Sequence, residues 1–151
     1  MGLDMYAYVG QRGQRDAYWD QDMEFNPETR EFEAPEGGVQ KPREIAYWRK
    51  HPNLHGWMEH LWVRKRNAEG KPVVEDVDNL VGDFNGVELE LTWEDLDELE
   101  IAVKKRKLPP TTGFFFGKSA DQAYYADDLA FIQKARAELF MGLQVFYNSS
   151  W

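Results

Sequence analysis

The chain has no cysteine. That removes disulfides, thiolate metal sites, iron–sulfur clusters and thiol nucleophiles together. It also has no apolar run near the roughly 20 residues needed to cross a bilayer. Its start, MGLDMYAYVG, carries Asp4 early and shows no basic leader, so neither a secretory signal nor a membrane span is expected. Cations are the minority charge, 18 Lys and Arg against 27 Asp and Glu, for a formal charge of -9. That balance disfavours unspecific attraction to nucleic acid or an anionic membrane and leaves a protein as the expected partner. Recognised catalytic fingerprints are missing as well. No GxSxG elbow or dinucleotide glycine pattern occurs, and Gly113 and Gly117 before Lys118-Ser119 fall one residue short of phosphate-loop spacing. No cofactor is expected.

What is present suits a folded globule. At 151 residues, 42% hydrophobic and 15% aromatic, residues 1–151 are read as one domain able to bury a core unaided. Leu3, Met5, Ala7 and Val9 alternate with Asp4, Tyr6 and Tyr8, the period of a strand with unlike faces. Residues 11–41, rich in Gly, Pro, Gln and charge, read as an irregular excursion, with a small hairpin turning at Asn26-Pro27. Pro42 suits a first helical turn, so a helix is expected over REIAYWRK, broken at His51 and restarted at Pro52. Leu54, Trp57, Met58, Leu61 and Trp62 then form a core-facing stripe.

Residues 67–86 read as loop, and Val87, Leu89 and Leu91 as a half-buried strand. Thr92 with Asp95 caps the next helix, whose buried face is Trp93, Leu96, Leu99 and Val103. Ser119 with Gln122 caps a long helix to about Met141, which buries Tyr125, Leu129, Ile132, Ala135 and Leu139. A last strand is expected over Leu143 to Tyr147. The sum is an α+β fold, with an antiparallel or mixed sheet of about three strands packed with three to four helices.

Four places could carry chemistry. All three histidines and three of the six tryptophans fall within Trp48 to Trp62. There His51, His55 and Glu59, at i, i+4 and i+8, make a weak candidate metal set, which Pro52 disrupts by moving His51 to the helix cap. The second place is the polar cluster Glu44, Tyr47, Arg49, Lys50 and His55, with Asp4 placed to orient His55 as a general base and the two cations to hold an anion. The third is Phe114, Phe115 and Phe116, three rings in a Gly-flanked loop that either plug the core or meet a partner. The fourth is the stretch Glu75 to Glu100, with eleven carboxylates and no cation, a possible imitation of nucleic-acid charge. Its acids also suit a helix start, and Lys104-Lys105-Arg106-Lys107 suits that helix's end.

The start GLDMY, then EIAYWRK followed by LHGW, then LPPTTGFFFG leading into YYADDL resembles an uncharacterised family of small proteins encoded by bacteriophages and prophages. The resemblance covers the first strand and the segments Glu44 to Trp57 and Leu108 to Leu129. It implies a small accessory protein of the bacterial cytoplasm that acts by binding a host or phage protein. The rival expectations are a small hydrolase or anionic-ligand-binding protein built on His55, Arg49, Lys50 and Glu44, and an inhibitor acting by charge mimicry.

Overall fold

The computed structural model describes residues 2–71, 84–112 and 121–151, and these form an α+β fold. The chain runs β1 (Asp4–Gly10), α1 (Gln14–Asp20), β2 (Glu24–Asn26), β3 (Glu31–Glu33), β4 (Arg43–Arg49), α2 (Pro52–Ala68), β5 (Leu89–Leu91), α3 (Trp93–Lys104), α4 (Asp121–Phe140) and β6 (Gln144–Ser150). Among the described residues β4-β1-β6-β5 form one antiparallel sheet, and β2-β3 a separate hairpin.

Alternation along β1 sends Met5, Ala7 and Val9 inward and Asp4, Tyr6 and Tyr8 outward. Register carries that division across the sheet. Met5 sits opposite Trp48 and Ser149, and Tyr6 opposite Tyr47 and Asn148. The inner face packs with Leu54, Met58 and Leu61 of α2, Leu96, Leu99 and Val103 of α3, and Phe131, Ile132 and Ala135 of α4 in one hydrophobic core. No helix among the described residues is long and apolar enough to cross a membrane.

Residues 43–49 correct the sequence reading. They form β4, not a helix. Trp48 is buried at 1% exposure between exposed Tyr47 and Arg49, which is period two. Aromatic and β-branched side chains suit that pleated surface, and pairing with β1 satisfies backbone groups that Pro42 alone could not organise. The break at His51 and the helix from Pro52 are as expected. Trp57 and Trp62 are only partly buried, as are Tyr125, Leu129 and Leu139. Trp93 is a second correction. It lies 44% exposed, with the Arg136 guanidinium 5.9 Å above its ring.

The Thr92–Asp95 capping box forms in both directions. The Asn26 hairpin forms too. Asn26 Oδ1 accepts from the Glu28 N–H at 2.9 Å, and Arg30 takes a left-handed φ of 60° to close the turn. Inside the excursion, α1 was not foreseen. Gln21 then pins the returning chain through two bonds to the Val39 backbone, of 2.7 and 2.9 Å. Gly56 is required by packing, since a Cβ there would strike Thr111 of the loop lying on α2. The expected 67–86 loop overlaps the end of α2 at Asn67 and Ala68, and its middle, 72–83, lies outside the described residues, as do Phe114, Phe115, Phe116 and Ser119.

Candidate functional site

The histidine-rich segment resolves into two separate buried pairs. His51, at the N-cap of α2, is fully buried, and its Nε2 lies 2.9 Å from Asp128 Oδ2. The other Asp128 oxygen accepts the Trp48 Nε1–H at 3.0 Å, and the Tyr124 ring stacks on the imidazole at 4.7 Å. One carboxylate thus ties β4, the start of α2 and the middle of α4. Burial pushes the Asp128 carboxyl up, and its bonds to His51 and Trp48 pull it back.

His55, one turn later, faces elsewhere. Its Nδ1 shares a 2.7 Å hydrogen bond with the Tyr147 hydroxyl, and its ring packs against Phe84 and Trp151. Burial lowers the His55 pKa to about 4 and raises the Tyr147 hydroxyl well above its ordinary value. His55 is a neutral core residue at physiological pH.

This geometry dismantles the expected polar cluster. Asp4 does not orient His55. It sits on the outer face and accepts the Tyr47 hydroxyl at 2.6 Å. Arg49 lies opposite Asp4, and Glu44 opposite Tyr8, so both belong to the outer strand face. Lys50 turns the chain at a left-handed φ of 54°, its N–H bound to the Leu3 carbonyl at 2.9 Å. The sheet itself stands between His55 and the residues meant to work with it. The weak metal set separates for a related reason: His51 and His55 are engaged by Asp128 and Tyr147. Among the described residues no group of three His, Cys, Asp or Glu side chains could hold a metal ion.

Six acids of the described part of the acidic stretch are engaged within the chain. Glu88 accepts from the Tyr8 hydroxyl, Glu90 from Arg12 and Gln144, and Asp95 from Lys65. Glu98 meets Arg64, while Asp97 and Glu100 share Arg136. Carboxylates paired with cations and donors on their own chain do not present a run of phosphate-like charge.

The outer sheet face holds what the sequence reading missed. Tyr6, Tyr8, Asn148 and Ser150 floor a recess of about 290 Å³. Its walls are Arg15 and Trp19 from α1, Lys41 and Pro42 just before β4, and Glu44 of β4. Tyr8 stacks on Phe146 at 5.7 Å, and Tyr6 leans on Tyr47 at 5.3 Å. A signal existed for Asp128, an acid on the same α4 stripe as Ile132 and Ala135. For the recess the signal was weaker, an outward row of tyrosines on β1.

Searches of protein-family models, curated proteins and solved structures return no match to this chain.

Proposed function

We propose that the protein is a phage- or prophage-encoded accessory protein that works by binding another protein, and that the β2–β3 hairpin makes the contact. The exposure of that hairpin carries the reading. Phe25 is 55% and Phe32 66% exposed, and their rings meet edge to face at 5.3 Å across the two strands. Trp19, in the same excursion, is 60% exposed. An isolated two-stranded hairpin is marginally stable in water, so a large aromatic pair shown to solvent on one is better suited to recognition than to folding. Glu24, Glu28, Glu31 and Glu33 surround the pair, against Arg30 alone. The complementary partner is a protein with an apolar patch rimmed by Lys and Arg.

An enzyme built on His55 finds no support in a fully buried, neutral imidazole. Charge mimicry finds none in Glu88, Glu90, Asp95, Asp97, Glu98 and Glu100, which are engaged within the chain.

The test is a photo-cross-linking amino acid at Phe32, expressed in the bacterial host. One dominant protein adduct is expected, and reversal of Glu24, Glu31 and Glu33 to Lys should abolish it. A probe at Ile101 on α3, which is 55% exposed, is the control. Equal cross-linking from both positions would remove the hairpin as the contact.

A further inference from the structure

We propose that the recess on the outer sheet face binds a small planar heteroaromatic ligand bearing one anionic group, the chemistry of a nucleoside monophosphate. Its volume, about 290 Å³, lies just under the roughly 300 Å³ at which small-ligand pockets begin. The central observation is Asn148. It is 4% exposed on the recess floor, yet its Nδ2 meets no hydrogen-bond acceptor among the described residues. Buried donors are almost always paired, and a turn of this covered amide toward the recess brings its N–H to an acceptor carried by a ligand.

The surroundings define what brings it. Tyr6 and Tyr8 on the floor and Trp19 on the wall supply ring faces on which a planar group stacks without demanding one sequence of atoms. Arg15 and Lys41 bring two cations to the rim of a chain whose charge is -9. Arg15 makes one long ion pair, and Lys41 makes none among the described residues. Arg15 stands 3.6 Å from Asp16, and the Lys41 ammonium lies 5.7 Å over the Trp19 ring. Both reach an anion at the opening, Arg15 by a bidentate fork.

Glu44 stands on the β4 side of the same recess and offers an acceptor. Ring acceptors for Asn148, a ring N–H or amino group for Glu44 and a phosphate for the cations are found together in a mononucleotide. Neither inorganic phosphate nor a free nucleoside meets all three. The site shares Trp19 with the exposed aromatics of the excursion but none of the hairpin's own residues, so this inference does not rest on the hairpin contact.

Calorimetric titration of the full chain with AMP, GMP, CMP and UMP tests it. At least one should bind with a Kd below about 1 mM. Inorganic phosphate and the matching nucleoside should each bind at least about tenfold more weakly. Arg15→Ala with Lys41→Ala, both at the rim, should weaken the nucleotide about tenfold and leave the melting temperature unchanged. Asn148→Leu removes the unmet donor at similar volume, so it should weaken binding while holding or raising the melting temperature. No binding by any monophosphate, or phosphate alone binding as well, overturns the proposal. Undiminished affinity in the rim double variant does the same. The Phe32 cross-link should persist in every recess variant, which separates failure here from failure of the hairpin contact.

Discussion

The two faces of the main sheet are made by alternate residues of the same strands, and they treat polar groups in opposite ways. On the inner side Trp48, Asp128 and His51 interlock, and Tyr147 meets His55, all at 1% exposure or less. On the outer side Asp4 and Tyr47 bond at the surface, Tyr8 reaches Glu88, and Asn148 Nδ2 meets no acceptor among the described residues, beside a recess. A buried polar group costs free energy unless it is matched, so the interlocked pairs of the inner face read as architecture, even with His51 Nδ1 and Ser149 Oγ unmatched there among the described residues. On the outer face the unmatched Asn148 donor borders an open recess, and that is where recognition can be built. The difference teaches where to look. Density of histidine and tryptophan marked the architectural face, while the recess is walled by residues from distant parts of the chain.

The sharpest way to break this comparison is to remove Asp128. Asp128→Ala leaves the Trp48 indole N–H and His51 Nε2 without their acceptor inside the core. Leaving two buried polar groups without their shared acceptor costs about 3 kcal/mol. For a chain of this length that lowers Tm by about 10 °C. Thermal unfolding followed by circular dichroism reads it, and Asp128→Asn, which keeps one acceptor, should lose less. A change no larger than that of a surface substitution would show that the inner network is not architectural.

Acid provides the next largest effect. Burial holds the His55 pKa near 4, below its ordinary 6.5, so the fold favours the neutral ring. The unfolded chain therefore binds more protons between these values. The stabilisation is complete above pH 6.5 and is lost as pH falls toward 4, amounting to about 3 kcal/mol. Asp128 acts with the other sign. Its raised pKa lets the fold take a proton earlier than the unfolded chain does, which adds stability on acidification. Urea unfolding of wild type and His55→Gln at pH 7, 5.5 and 4 separates the two. The wild type should lose more than the variant by about 3 kcal/mol. Parallel profiles would mean that His55 is open to solvent.

Most elements were legible in the sequence because their signals are local. Alternation set β1 and β5, Thr92 with Asp95 set the start of α3, and Pro52 set the start of α2. The β4 segment was not legible, because REIAYWR fits either period over seven residues and its pairing with β1 spans some forty positions. That single misreading displaced the candidate site. A helix would have allowed Glu44, Arg49 and His55 to share a side, whereas a strand puts Trp48 inside and Tyr47 and Arg49 outside. The recess was illegible for a second reason. Its floor joins positions 6 and 148, and its wall comes from a helix, α1, that buries no residue and so leaves no apolar stripe.

The smallest expected effect probes the outer face where it looks most ordered. Tyr47 donates to Asp4 at 2.6 Å, and that bond, ahead of burial and charge, pushes the Tyr47 pKa up to about 12. The short distance invites a large energetic value, but Tyr47 is 48% exposed, and water competes for both groups. Tyr47→Phe should therefore change stability by no more than about 0.5 kcal/mol. It should move Tm by under about 2 °C, while the Asp128 variant moves it several times further. The mild change also keeps the ring that leans on Tyr6, so any loss measures the hydroxyl alone. A drop approaching that of Asp128→Ala would mean that the outer strand face also holds the fold together. The neighbouring Tyr6 and Asn148 would then be structural residues first, and the recess they floor would lose its claim to be a site free to recognise a ligand.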